Sequence, residues 1–381
     1  MKRIFIISGE KSGDIIANGI IQKIQNAFPN CQIQGIGGES FSKNGLKSLF
    51  NQNELSIMGF FEILPKIFRI LKLIKATVKA IETFQPEHLI TIDSPGFNFA
   101  IAKKVKNLKI NSKIHHVVAP SVWAYKKNRA KKVAKLYDTL FCILPFEPPY
   151  FTQFGLKTIF IGYPPFHNME AVKQNIFTNE KSLEKSSKIH IPITLGSRNS
   201  EITKHTPIIK QVIEILSGRF TNIEFNILTL PHLHGRIAKE FSQVRNANII
   251  SNDNKKWQTV QNATFVLAKS GTNVMEFSLL GIPSIVFYRA NIITEIVIKI
   301  MAYTKFATLL NFTAGKYIFP EFLQNNATAN SIAMKAKEWL ENPDLIVKVQ
   351  NEMALELKKF ESKVQPQEII FNEICNSTLT Q

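Results

Sequence analysis

Two α/β units, each built on an open, doubly wound parallel sheet, are what this sequence predicts, on three observations. Short β-branched apolar runs alternate with longer amphipathic stretches, the pattern of βαβ units. That alternation halts near Gly162, crosses a polar stretch at Lys173–Lys188, and starts again. And 381 residues exceed what one compact core ordinarily holds.

The first strand is expected at Arg3–Ile7, where an apolar run too short for a secretory signal ends at Ser8, Gly9 and Glu10. Further strands follow at Ile33–Ile36, His88–Asp93, Ile114–Val118, Thr139–Leu144 and Thr158–Ile161, with helices such as Ile15–Ala27 and Phe97–Leu108 between them. Near-continuous apolar strands of this kind suit a parallel sheet buried on both faces. Tyr163-Pro164-Pro165 then breaks the pattern. Residues 1–165 are therefore expected to form one domain, 166–188 a linker, and 189–340 a second domain. In the second half, strands are expected at His190–Leu195, Glu224–Leu230, Asn248–Ile250, Thr264–Ala268 and Ser284–Tyr288. Helices are expected near Glu201–Leu216, Asn273–Leu280 and Ile293–Ala302. Beyond Thr328 the chain reads as helical, with 341–381 a candidate to pack back on the first domain. Open parallel sheets bind ligands outside the carboxyl ends of their strands, so the space between the two halves is the expected site.

Composition excludes several classes. No apolar stretch approaches the roughly 18 residues of a spanning helix. Cys31, Cys142 and Cys375 are scattered, without C-x-x-C, which argues for a reducing compartment and against a disulfide framework or structural zinc. The formal charge of +18 favours anionic partners: nucleic acid, acidic lipid or phosphorylated substrates. There is no G-x-x-x-x-G-K-[ST], no G-x-G-x-x-G after the first strand and no G-x-S-x-G, which removes P-loop, nicotinamide and serine-hydrolase readings. Asp14, Asp93, Asp138, Asp253 and Asp344 never form D-x-D, so a metal-dependent sugar-nucleotide site of that type is not expected. His232 and His234 read as loop histidines, and His115 and His116, adjacent on a strand, face opposite ways.

What remains is a set of small polar segments, each just after a strand. Ser270-Gly271-Thr272 opens a helix whose free N–H groups and positive dipole end suit phosphate. Glu276 shares a helix face with Thr272, where its carboxylate would accept from ribose hydroxyls. Gly196-Ser197-Arg198 tips the first strand of the second half, offering a guanidinium to phosphate oxygens. Together these suggest a nucleoside diphosphate held without metal. In the first half, Asp93 ends a strand, where it reads equally as a general base or as the cap of the following helix. In the stretch Ser56–Ala80, Lys66, Arg69, Lys72, Lys75 and Lys79 form a cationic stripe backed by Ile67, Phe68, Ile70, Leu71, Leu73, Ile74 and Val78. Met58, Phe60 and Phe61 add a greasy patch just upstream. That pattern fits either a helix on anionic lipid or a core helix with a solvated basic face. Lys126–Lys135, with Trp123 and Tyr125 before it, is also compatible with single-stranded nucleic acid, but no nucleic-acid-binding signature accompanies it.

These blocks resemble bacterial lipid-A-disaccharide synthases along nearly the whole chain: Gly9-Glu-Lys-Ser-Gly-Asp14, Glu54-Leu-Ser-Ile-Met-Gly59, Ile92-Asp-Ser-Pro-Gly-Phe-Asn98, Pro120-Ser-Val-Trp-Ala124, Leu144-Pro-Phe-Glu147, Leu195-Gly-Ser-Arg198, Ser270-Gly-Thr272 with Glu276, Tyr288-Arg289, and Asn311 through Gln324. The sequence departs from the usual pattern at Tyr163, Thr194, Leu310 and Lys316. The resemblance implies a GT-B glycosyltransferase with two Rossmann-like domains, needing no metal or other cofactor and peripheral to the cytoplasmic face of the inner membrane. It would transfer 2,3-diacylglucosamine from its UDP derivative to the 6-hydroxyl of lipid X (2,3-diacylglucosamine 1-phosphate), with inversion and release of UDP. It places Asp93 as the base. Gly196, Ser197, Arg198, Ser270, Gly271, Thr272, Glu276, Arg289, Asn311 and Gln324 fall on the donor side. Glu10, Ser12, Asp14, Met58, Phe60, Phe61, Lys66, Arg69 and Lys72 fall on the acceptor or lipid side. The anionic membrane surface is then a partner, specific nucleic acid is not, and a homodimer is left open. Another UDP-sugar enzyme of this architecture, a cell-wall glucosaminyltransferase or an epimerase, is the alternative; a basic nucleic-acid-binding protein is a more distant one.

Overall fold

A computed structural model of the chain describes residues 2–55, 67–166, 188–290 and 304–379. It divides into two units, Met1–Pro164 with Phe360–Gln381, and Pro165–Lys359. Met58, Phe60, Phe61, Lys66, the helix expected at Ile293–Ala302 and nearly all of the linker lie outside the described residues.

The first unit carries β1 (Arg3–Ser8), β2 (Gln32–Ile36), β3 (His88–Ile92), β4 (Lys113–Val117), β5 (Thr139–Cys142) and β6 (Lys157–Phe160). They form one parallel sheet ordered β2-β1-β3-β4-β5-β6, in register through pairs such as Ile4↔Ile33 and Ile6↔Ile90. Side chains alternate across the pleat. Phe5, Ile7, Leu89, Ile114 and Leu140 bury on one face with the helices Ile67–Phe84 and Pro95–Asn107. Ile4, Ile6, Ile90, Val117 and Phe141 bury on the other with the Lys11–Ala27 helix and with Ile370 and Ile374 of the Pro366–Leu379 helix. The last helix is tied down by ion pairs Lys23–Glu368 and Lys157–Glu373. The tail is thus shared out: Pro366–Leu379 packs in the first unit, whereas Pro343–Leu357 falls in the second.

Several strands end earlier than their apolar runs, for a steric reason. Asp93 and Val118, the expected last residues of two strands, have φ of 54° and 74°, which a ladder cannot accommodate. His115 and His116 do bury on opposite faces, His115 stacking on His88 and His116 on Tyr137.

The second unit repeats the plan with β7 (Ile189–Thr194), β8 (Ile223–Leu228), β9 (Ala247–Ile250), β10 (Val266–Lys269), β11 (Ser284–Tyr288) and β12 (Glu321–Leu323), ordered β12-β11-β10-β7-β8-β9 and parallel throughout. Three-residue β12 had no sequence signal. In both sheets the strand order reverses once, between β1 and β3 and between β7 and β10. Loops leaving the two strands at such a point diverge and leave a crevice at the carboxyl edge.

Candidate functional site

At the first crevice, the loop after β1 meets the loop after β3. Any side chain at Gly9 would collide with Ser94 Oγ, so glycine is required there. Asp93 and Ser94 are consecutive residues at positive φ, 54° and 41°, an arrangement that costs energy and clusters at functional sites. Asn98 Nδ2 holds the turn by donating to the Asp93 carbonyl at 2.7 Å. Asp93 Oδ1 accepts from Ser94 N at 2.8 Å, and Oδ2 has no donor among the described residues. The carboxylate is therefore not the helix cap of the alternative reading; that position belongs to Ser94. Burial raises the Asp93 pKa, the Ser94 N–H opposing it only in part. Glu10 is raised by its own burial and by the nearby Asp93 charge, so the two carboxyls share one neighbourhood.

Ser12 is exposed. Asp14 is not a free acceptor-side group: it is buried and accepts from Gly38 N and Ser40 N, both at 2.9 Å, and from Ser40 Oγ, pinning the turn after β2. Gln52 was not anticipated. Its Nε2 donates to Ser8 O and Oγ and to Glu10 O, which fixes the loop carrying Glu10.

Of the expected lipid-facing residues, Arg69 pairs with Glu54 at 2.8 Å and Lys72 is exposed. The apolar backing splits. Ile74 is buried, and Ile70, Leu73 and Val78 pack against the core. Phe68, at 84% exposure, with Leu71 at 54% and Ile67 at 42%, stands in solvent among the cations.

At the second crevice, Gly196 sits at φ 118°, where a side chain would also strike Glu201. Glu201, expected as the start of a helix, is buried and organises the loop. Its Oε2 accepts from Ser197 N at 3.0 Å and Arg198 N at 3.3 Å, while Oε1 takes Lys269 Nζ at 2.9 Å and lies 3.9 Å from the Arg198 guanidinium. Burial alone would raise its pKa, but the Lys269 hydrogen bond and charge, with the two amides, bring it below the usual carboxylate value. The signal for it was a glutamate at the third position of the helix, as in a capping box.

Gly271 and Thr272 are exposed at the start of the Thr272–Leu279 helix, and Ser270 Oγ is turned away to Ala307 O at 2.9 Å. Glu276 pairs with Lys256 at 3.4 Å. Gly196, Ser197, Lys256, Lys269, Gly271 and Thr272 line one cavity of about 200 Å³. Arg198, Lys269, Ser270, Tyr288 and Gln324 line a neighbouring one of about 640 Å³. Gln324 Oε1 accepts from Ala290 N at 3.1 Å. Arg289 is exposed, and its N–H is held by buried His205, whose Nδ1 in turn donates to Leu195 O at 2.6 Å. That pattern fixes a neutral imidazole joining the ends of β7 and β11. Asn311 departs from expectation: it is fully buried, its amide bonded to Ile318 N, Phe319 N, Phe319 O and Glu321, so it shapes the 318–321 segment.

His232 and His234 are exposed, and among the described residues no three His, Cys, Asp or Glu side chains gather as a metal site.

Two Rossmann-like parallel sheets define a GT-B architecture, and solved structures agree in fold. A UDP-GlcNAc 2-epimerase from Neisseria meningitidis bound to UDP-GlcNAc matches 99% of this chain and 100% of its own, at TM-score 0.64 and 16% identity. The spinosyn rhamnosyltransferase SpnG complexed with thymidine diphosphate matches 100% of each chain at TM-score 0.57 and 10% identity. Sequence comparison is more specific. The lipid-A-disaccharide synthetase profile matches residues 4–374. The Rickettsia prowazekii lipid-A-disaccharide synthase is 41% identical over 349 residues, 90% of each chain, and that of Rickettsia bellii 41% over 371 residues, 96% of each. This chain belongs to the lipid-A-disaccharide synthase family: it is a glycosyltransferase of lipid A biosynthesis, acting on a UDP-sugar donor and a lipid acceptor. The family match does not favour a cell-wall glucosaminyltransferase, an epimerase or a nucleic-acid-binding protein.

Proposed function

We propose that the donor is UDP-2,3-diacylglucosamine, the acceptor is lipid X, and Asp93 is the base of a single inverting displacement. The acceptor 6-oxygen bonds to the anomeric carbon as the carbon–oxygen bond to UDP breaks. The hydroxyl proton passes to the Asp93 carboxylate, and UDP departs with the bonding electron pair. The observation that carries this is the strained Asp93–Ser94 turn, which holds a carboxylate at a strand's carboxyl end with one oxygen undonated among the described residues. Burial raises its pKa, which strengthens it as a base.

In the second unit, Arg198 and the N–H groups at Gly271 and Thr272 would offset charge on the leaving diphosphate without a metal. Glu276 would take the ribose hydroxyls once released from Lys256. Exposed Phe68 and Leu71 beside Arg69 and Lys72 support contact with the anionic inner-membrane surface, where both lipid substrates reside.

Asp93→Asn tests the base. Donor binding should persist while turnover falls by roughly 10²–10⁴. In the unsubstituted enzyme kcat should fall on acidification, with a limb above the ordinary aspartate value of 3.8. Near-normal turnover of the variant would remove Asp93 from the mechanism.

A further inference from the structure

Lys269, the partner of Glu201, lines both cavities of the second crevice. It is the last residue of β10, beside β7, at the point where the strand order reverses. Its main-chain N–H donates to Thr194 Oγ1 at 3.2 Å, locking the two strand ends together. Its ammonium lies 2.9 Å from Glu201 Oε1 and 5.3 Å from the centre of the Tyr288 ring. The side chain lines both the 200 Å³ cavity, with Gly271 and Thr272, and the 640 Å³ cavity, with Arg198.

Glu201 explains why the lysine is held there. Its Oε2 already takes the Ser197 and Arg198 amides, so those N–H groups are engaged within the protein rather than offered to a ligand. What the loop presents outward is positive side-chain charge. Arg198 is largely exposed, whereas Lys269, at 19% side-chain exposure, is fixed between Glu201 and an aromatic ring. An ammonium has three donors. With one on Glu201, the others remain for an anion at the boundary of the two cavities. A fixed cation in a partly desolvated site acts more strongly on a diphosphate than a mobile surface one.

We infer that Lys269 is a second cation of the diphosphate subsite, positioned by Glu201, acting with Arg198 on the phosphate oxygens of the nucleotide. This rests on the reading of the second unit as the UDP site.

The test compares equilibrium binding of UDP and of uridine to the full-length protein, its Lys269→Gln variant and its Lys269→Arg variant, with thermal midpoints recorded for all three. Charge-assisted hydrogen bonds of this kind correspond to roughly tenfold to hundredfold in affinity. Lys269→Gln should lose that much for UDP while keeping uridine affinity within about twofold, and Lys269→Arg should recover part of the loss. UDP affinity unchanged in Lys269→Gln overturns the proposal. So does a parallel loss of UDP and uridine, which would make Lys269 a brace for the loop. If Lys269→Gln fails to fold, Lys269→Arg decides: UDP and uridine weakened equally refutes, UDP weakened selectively supports. Failure of the unsubstituted protein to prefer UDP over uridine would instead overturn the UDP-site reading itself, and this proposal with it.

Discussion

Acidification should destabilise the first unit before ordinary carboxylates titrate, because its sheet encloses three neutral imidazoles. His88, His115 and His116 are essentially inaccessible, and burial lowers their pKa values to about 4, 3 and 3. His88 Nδ1 and His115 Nε2 are 3.1 Å apart, a spacing that accommodates one shared proton. Unfolded histidine titrates near 6.5, so below that pH the unfolded chain binds protons the native one refuses. The contribution is complete above 6.5 and is lost as pH falls toward 4 for His88 and 3 for the others. Between pH 7 and pH 5 each imidazole loses about 2 kcal/mol, and the three together about 6.

Glu147 opposes this. It is 1% exposed, and burial raises its pKa to about 8, so its native form is protonated where its unfolded form is not. Its contribution grows as pH falls from 8 to 4.5, returning about 2.5 kcal/mol over the same interval. Asp93 and Glu10, both raised, act in the same sense as Glu147. The net expectation is a loss of roughly 3 kcal/mol from pH 7 to pH 5. Urea denaturation at the two pH values measures it. Replacing Trp257 and Trp339 by phenylalanine leaves Trp123, in the first unit, as the fluorescence reporter. Glu147→Gln should bring the loss closer to the full histidine value. A midpoint that is flat or rises on acidification would refute neutral burial of the histidines.

Asn311→Ala should destabilise the second unit by about 3 kcal/mol or more, since it strips partners from two amides, a carbonyl and Glu321. Weaker UDP binding with an unchanged thermal midpoint would instead restore Asn311 as a direct nucleotide ligand. Replacing Phe68 and Leu71 together by serine should reduce sedimentation with anionic vesicles without altering stability, because both side chains are already exposed. Unchanged sedimentation would move the lipid contact elsewhere.

Strand identity and order of the elements were legible because parallel strands buried on both faces write their burial as continuous apolar runs. Ile4–Ile7 and Ile191–Ile193 are examples. Strand ends were less legible, since the positive φ at Asp93 and Val118 follows from tertiary placement and leaves no mark on hydropathy. At the candidate site, Asp93, Arg198 and the Gly271–Thr272 turn stand out in the sequence because small polar residues after a strand are conspicuous. Lys269, His205 and Gln52 are not legible because each acts by reaching a loop distant in sequence, and in isolation each resembles an ordinary helix or strand-end residue; Glu201 carries only the local capping-box spacing, which does not show its pairing with Lys269. Asp14 and Asn311 erred the other way. A polar side chain in a motif suggested a ligand, whereas both satisfy buried main-chain groups.

The most direct measurement supplies the purified protein with UDP-2,3-diacylglucosamine and lipid X in excess chelator and follows UDP and disaccharide 1-phosphate together. Equimolar formation of both products at an undiminished rate, lowered roughly 10²–10⁴-fold in Asp93→Asn, is the expected result. Turnover that stops with chelator and returns with a divalent cation, or that stays near normal without the Asp93 carboxylate, would contradict a metal-free displacement driven by that base.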